Sequence, residues 1–482
     1  MLKIRQGTFL NILRWFVLAT VIGVIVGVAD AAFLTLLDAA AGATNGFPLY
    51  FTALPFVLWV VWLLSRRVAK NDTDFSTDAA INKINSYRGI SLISTLKAFF
   101  LPVFTIAGGG SAGKEAPCAD VGAGLASAFS GILNLSPEDR RKLMICGVSA
   151  GFAGVFGVPV SGAIFGLEIL WVGYIFYEVM FPALVAGITA YQITNALGVT
   201  YIYHPIQVIP VFTEGFFIKI LIAGVFFGLM SILFIELMKF FRVVFRFISF
   251  KTSNFWRAFL GGFVLALIGL LLSPEYLGLG MDTTNGVLTG SEVSHPLGAL
   301  FKMITTAITF SAGGVGGIVT PIFFIGSQAG AVLSGFLEVD PKTLAALGVV
   351  AVLAGSTNAP LAASIMAIEL FGPAVAPYAT VCCVISFLMT GQRSVFHKQK
   401  VSYDKTSDVT PDAPHTGRKM PRRRASFMKL ARHLIPNPAR EEMARRRTMN
   451  AKVEKILEEE KDKKPLFKIL KHLFPNFKDE DK

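Results

Sequence analysis

The sequence predicts an all-α polytopic membrane protein, built from two matched halves of broken and partial helices. Three observations carry this. Of 482 residues, 53% are hydrophobic and 16% charged, against about 25% charged in soluble domains. The apolar residues fall in long runs and are not scattered. Two halves of the chain share one glycine and proline pattern.

The runs come first. Residues 10–28, 49–64, 218–237 and 259–272 are predominantly apolar. They reach or approach the ~20 residues that cross a bilayer as a helix. Residues 10–28 are too long for a signal-peptide core and lack a convincing cleavage site, so they are read as a retained span. Mean hydropathy over the chain is +0.59.

Charge divides the chain in two. From Arg393 onward there are 24 Lys and Arg against 13 Asp and Glu, a net +11, and the rest of the chain carries +2. Residues 1–396 are therefore read as an apolar membrane domain and 397–482 as a basic tail. Lys3, Arg5 and Arg14 flank the first span, and Arg393, Lys398, Lys400 and Lys405 follow the last. The positive-inside rule then makes both termini cytoplasmic.

The repeat is the informative signal. Gly147-Val-Ser-Ala-Gly-Phe-Ala-Gly154, then Pro159, then Glu168 matches Gly348-Val-Val-Ala-Val-Leu-Ala-Gly355, then Pro360, then Glu369, at a constant offset of 201. Upstream, Gly109, Gly110, Gly113, Pro117 and Gly122 match Gly313, Gly314, Gly317, Pro321 and Gly326 at an offset of 204. The first repeat spans about 10–200 and the second about 213–396. Proline favours the first helical turn, so Pro117, Pro159, Pro321 and Pro360 each predict a helix that begins within the membrane. The free N–H groups and positive dipole end of such a helix attract anions. Matched interruptions in two halves point to a transporter's binding site, where a lone Gly or Pro motif would mean helix packing.

Cys118, Cys146, Cys382 and Cys383 lie in apolar segments without metal spacing and are read as small hydrophobes. Gly108-Gly-Gly-Ser-Ala-Gly-Lys114 resembles a nucleotide-binding loop. The residue after the lysine should be Ser or Thr for magnesium, and Glu115 stands there instead. Pro159-Val-Ser161-Gly162 suggests an intramembrane serine hydrolase, but no histidine lies in an apolar run to serve as base. Glu168 and Glu369 are intramembrane acids, a class that defaults to function. Their matched positions favour a structural role, capping or anchoring neighbouring loops. Asp120, one turn beyond Glu115, receives no role.

Taken in order, these motifs resemble the CLC family of chloride channels and chloride/proton antiporters over residues 10–395. Gly113-Lys-Glu-Ala-Pro117 is similar to the family's Gly-(Lys/Arg)-Glu-Gly-Pro. Gly317-Ile-Val-Thr-Pro321 is similar to its Gly-x-Phe-x-Pro segment. Phe156 to Glu168 and Asn358 to Glu369 resemble the helices that follow. The resemblance implies an antiparallel (inverted) two-repeat helical architecture and a homodimer with one pathway per subunit, in the cell membrane, with no cofactor. The basic tail could suit nucleic acid by charge alone, but its membrane tether argues against such a partner. It implies that Glu115 is a gate whose carboxylate occupies the outer anion site until an ion displaces it. Gly113, Lys114 and Glu115, with Ile318 and Val319, would line the path.

Three departures stand out. The family's Gly-Ser-Gly-Ile-Pro is missing. Its counterpart is Asp74-Phe75-Ser76-Thr77-Asp78, whose Ser/Thr/Asp cluster can cap the run 79–84, with Phe75 aligned to the family's serine. The inner glutamate of antiporters is replaced by Ile169, a pattern typical of channels. The inner-gate tyrosine aligns with Phe396. The expected function is passive conduction of chloride or a similar small anion. Chloride/proton exchange and fluoride export are the alternatives, and the intramembrane hydrolase is an outsider. In the tail, the segments at 427–437 and 467–476 share a Lys-hydrophobic-x-(Arg/Lys)-His-Leu pattern. They read either as amphipathic helices held by anionic lipid or as a solvated, partly disordered tail.

Overall fold

A computed structural model describes residues 2–67, 76–201, 203–206, 213–251, 254–402 and 405. Phe75 and the two tail segments lie outside the described residues. The first half contributes α1 (Leu2–Asn45), α2 (Leu54–Arg67), α3 (Thr77–Asn85), α4 (Leu92–Ala107), α5 (Glu115–Ile132), α6 (Pro137–Phe156), α7 (Pro159–Glu168) and α8 (Tyr177–Ala196). The second half repeats the order with α9 (Glu214–Lys251), α10 (Asn254–Leu271), α11 (Met281–Thr289), α12 (Gly298–Ala312), α13 (Val319–Leu337), α14 (Pro341–Thr357), α15 (Pro360–Phe371) and α16 (Ala376–Met389). Among the described residues, the strand structure is a parallel pair of two-residue strands, β1 (Trp171–Val172) with β2 (Lys400–Val401).

Among the described residues, three helical stretches suffice by length and composition to cross a membrane: Phe9–Thr44, Glu214–Ile248 and Val319–Leu337. Several others are apolar but shorter, as broken helices require. Such breaks are tolerated at membrane depth only where protein buries them. Here each break is built by residues suited to it. Pro137, Pro159, Pro341 and Pro360 stand at the first turns of α6, α7, α14 and α15. Ser136 accepts from the Asp139 amide at 3.1 Å and Asp340 from the Thr343 amide at 2.8 Å. Gly157, at φ 71°, ends α6 in the left-handed conformation that glycine permits.

Small residues set the closest crossings, as in other membrane bundles. Gly122 of α5 lies against Gly147 of α6, and a Cβ on either would overlap the other's carbonyl oxygen. Gly326 of α13 and Gly348 of α14 repeat this contact in the second half. The offset read from the sequence is thus a repeated helix-helix interface. α6 from Leu143 to Phe156 and α14 from Thr343 to Thr357 are buried at every residue and form the middle of the core.

Glu168 and Glu369 do what their matched positions suggested. Glu168, ending α7, accepts the free amides of Leu361 at 3.1 Å and Ala362 at 2.8 Å in the first turn of α15. Glu369, near the end of α15, accepts Val160 and Ser161 of α7, both at 2.9 Å. Each repeat supplies the cap that the other repeat's helix lacks. Ser161 donates its hydroxyl to the Ala362 carbonyl at 2.9 Å, so the serine weighed as a nucleophile is a packing contact between the repeats. The four cysteines are buried and free.

Candidate anion site

The two glycine-rich breaks meet. Gly113 and Gly317 exchange both backbone hydrogen bonds, each 2.7 Å, as an isolated antiparallel bridge. Two further bonds cross between the repeats. Thr309 Oγ1 accepts from the Ser111 amide at 3.1 Å, and Thr105 Oγ1 accepts from the Val315 amide at 3.2 Å. The pairs Thr105/Thr309, Ser111/Val315 and Gly113/Gly317 are all related by the 204 offset, so a pseudo-twofold runs through the bridge. Buried amides at a break must be satisfied, and here the opposite repeat satisfies them.

The first residue of α5, Glu115, is 2% exposed. Its carboxylate reaches the first turn of α13. One oxygen accepts from the Val319 amide and the other from the Thr320 hydroxyl at 2.7 Å. A Cβ on Gly113 or Gly317 would overlap this carboxylate, so both glycines are required by its position. The carboxylate therefore occupies the donor end of α13 as a bound anion would. Lys114 is the N-cap residue of α5 and is partly exposed. The hydrogen bonds of Glu115 run to the other repeat, not to this neighbour. Ile318 is the N-cap residue of α13, and Val319 supplies the amide.

The other sequence candidates make their hydrogen bonds outside this cluster. Ser76 caps α3, accepting weakly from the Ala79 amide at 3.4 Å, and Thr77 donates to Asp120 of α5 at 3.3 Å. Neither hydroxyl bonds to the Glu115 group. Ile169 is 1% exposed just after α7, so that position holds no proton acceptor. Phe396 is 5% exposed, and its amide donates to Ser394 Oγ at 3.0 Å. The segment around it is strapped to α3: His397 lies 3.3 Å from Asp78, and the Lys398 amide donates to Asp78 at 3.1 Å. Arg242 of α9 contacts His397 at 2.9 Å.

Thr320 was missed by sequence reasoning, as were the Thr105 and Thr309 crosslinks and two buried lysines. Lys302 gives its ammonium to the carbonyls of Gly278 at 2.9 Å and Leu277 at 3.3 Å, and Lys97 gives its own to the Ser65 carbonyl at 2.8 Å. The threonine and lysine pairs carried a legible signal, since each recurs at an offset of 204 or 205. Thr320 carried none beyond its place inside the motif.

A family profile described as voltage gated chloride channel matches residues 56–391. The chain belongs to the CLC family. A chloride/fluoride channel protein of Pseudomonas syringae pv. tomato is 33% identical over 86% of this chain and 93% of its own. The crystal structure of a CLC-type fluoride/proton antiporter is similar with a TM-score of 0.77 and 26% identity, covering 82% of this chain and 99% of that one. A slow cyanobacterial Cl-/H+ antiporter shares the fold at a TM-score of 0.67 and 23% identity, over 78% and 94% of the two chains. The chain is thus a membrane anion transporter of the CLC type, not an enzyme, and CLC transport needs no cofactor.

Proposed function

We propose that this CLC protein exports fluoride in exchange for protons, with Glu115 as the carboxylate that handles both. The observation that carries the reading is the docking of Glu115 on the Val319 amide and the Thr320 hydroxyl. A carboxylate in an anion's place must leave before an anion can enter. Protonation removes the charge that the donors hold, and the freed donors then accept the anion. Proton and anion thus use one set of donors in alternation. An amide and a hydroxyl at short range suit a small, strongly hydrogen-bond-accepting anion. The chloride/fluoride channel protein and the fluoride/proton antiporter among the similar proteins support the same substrate. The absence of the family's Gly-Ser-Gly-Ile-Pro, with Phe75 at its serine, fits a selectivity other than chloride's.

Passive chloride conduction is the second reading, and Ile169 favours it by removing the usual inner carboxylate. We also infer a homodimer in the cell membrane with both termini cytoplasmic. The basic residues support that orientation: Arg14, Lys83, Arg88, Arg140, Arg141 and Lys142 cluster where α1 begins, α3 ends and α6 begins.

The test is efflux from liposomes holding the purified protein and equal fluoride and chloride, with voltage clamped by valinomycin and external pH recorded. The exchange reading predicts that fluoride leaves faster and protons enter in fixed proportion. Chloride efflux at an equal or higher rate without proton movement supports the passive reading. No efflux of either ion from folded protein overturns both.

A further inference from the structure

The exchange reading leaves a gap on the cytoplasmic side, because Ile169 stands where antiporters carry an inner glutamate. The buried or largely buried carboxylates among the described residues include Asp30, Glu115, Asp120, Glu168, Glu236 and Glu369, and Glu236 is paired with Lys239 and Arg393. Glu168 and Glu369 spend their oxygens on the helix starts of the opposite repeat. Asp30 is 1% exposed and packed against Gly154. Asp120 differs from the rest. It lines a cleft between α3, α4 and α5 together with Ser76, Lys83 and Ser94. The cleft lies on the basic side, close to the exposed turn that carries Tyr87 and Arg88. Arg141 stacks 5.0 Å from the Tyr87 ring there.

From this placement we propose that Asp120 is the cytoplasmic proton acceptor of the exchange, filling the role that Ile169 cannot. The proposal rests on the exchange reading. Asp120 stands five residues after Glu115 on one helix, about 7.5 Å along its axis. Its carboxylate accepts from Thr77, in the first turn of α3, so a hydroxyl joins it to the helix start that stands in place of the missing Gly-Ser-Gly-Ile-Pro segment. The step conserves protons. Protonated Asp120 gives its proton to Thr77 Oγ1, which passes its own to the Glu115 carboxylate when that carboxylate has left α13. Asp120 then regains a proton from water in the cleft. The charged groups facing Asp120 are Asp78 and Lys83 of α3. Asp78 is itself held by His397 and the Lys398 amide, and α4 presents Ser94 without charge. An intramembrane carboxylate that lines a cleft and shares its helix with the gating glutamate is where a proton relay is expected.

The test measures proton and fluoride fluxes together in reconstituted liposomes for wild type, Asp120→Asn, Asp120→Ser and Asp120→Glu. Two neutral variants are made so that a folding defect in one leaves the other, with folding judged by a monodisperse gel-filtration peak. The proposal expects the proton-to-fluoride flux ratio to fall by about tenfold or more in the neutral variants, the scale of a lost proton-transfer group. Fluoride flux should persist there, and Asp120→Glu should restore the ratio. A wild-type ratio in a folded neutral variant overturns the role of Asp120 and leaves the exchange reading standing. Wild-type protein that moves fluoride without protons overturns the exchange reading and this role with it.

Discussion

Replacing Thr320 with valine removes one hydrogen bond and almost no volume. The Thr320 hydroxyl lies 2.7 Å from a carboxylate oxygen of Glu115, and the other oxygen is held by the Val319 amide. A hydrogen bond to a charged group contributes about 1.5–3 kcal/mol. At about 1.4 kcal/mol per decade, losing it lowers the docked population of Glu115 relative to the undocked one by roughly 10- to 150-fold. The Val319 amide remains, so the gate is weakened and not abolished. The expected result is fluoride leak without matched proton movement, read as a lower proton-to-fluoride ratio in voltage-clamped liposomes. The hydroxyl could also bind the anion itself, and a double-mutant cycle separates the two roles. In a Glu115→Gln background the docked carboxylate is absent and protons no longer move, so the cycle is read in fluoride flux, which Thr320→Val should leave where Glu115→Gln put it. A wild-type ratio in Thr320→Val, or the same further change in both backgrounds, would refute the reasoning that this hydroxyl acts by holding the gate.

Other perturbations follow from the same contacts. Glu115→Gln keeps the shape and removes the titrating charge, so proton movement should cease whether or not anion flux continues; concurrent pH recording checks it. Glu369→Leu strips the Val160 and Ser161 amides of their acceptor, at about 1–3 kcal/mol for each buried unsatisfied group. The protein should melt at lower temperature in detergent, and Glu369→Gln should recover part of the loss. Gly147→Ala and Gly348→Ala drive a methyl into the facing carbonyls of Gly122 and Gly326. Both should cut the yield of folded protein by forcing α5 from α6 or α13 from α14, whereas Gly131→Ala, which meets nothing within 4 Å, should fold normally.

Much of this fold was legible because its repeat is written in glycine and proline, the residues whose backbone chemistry is most specific. Pro159 and Pro360 marked α7 and α15, and the 201 offset became the reciprocal caps of Glu168 and Glu369. Glu115 was visible as an acid at a predicted helix start between two glycines. Its partners were less visible. The Val319 amide followed from the helix start in the second half, but Thr320 is a threonine among many, and only its distance to Glu115 gives it meaning. Ser76 and Thr77 show the limit from the other side: the sequence located a capped helix there but not that its second hydroxyl would be turned to Asp120. Asp120 had no reading in the sequence because its significance lies in the cleft that α3 and α4 form beside it.

The most direct test of the exchange claim is uphill transport. Liposomes with equal fluoride inside and out are given an inward proton gradient, with potassium and valinomycin holding the voltage at zero. The account predicts that fluoride leaves against its own rising gradient until the two gradients balance, and that Glu115→Gln shows no such movement. Fluoride that stays level in wild type while equilibrating freely when its own gradient is imposed would contradict it, and would make this a passive anion pathway.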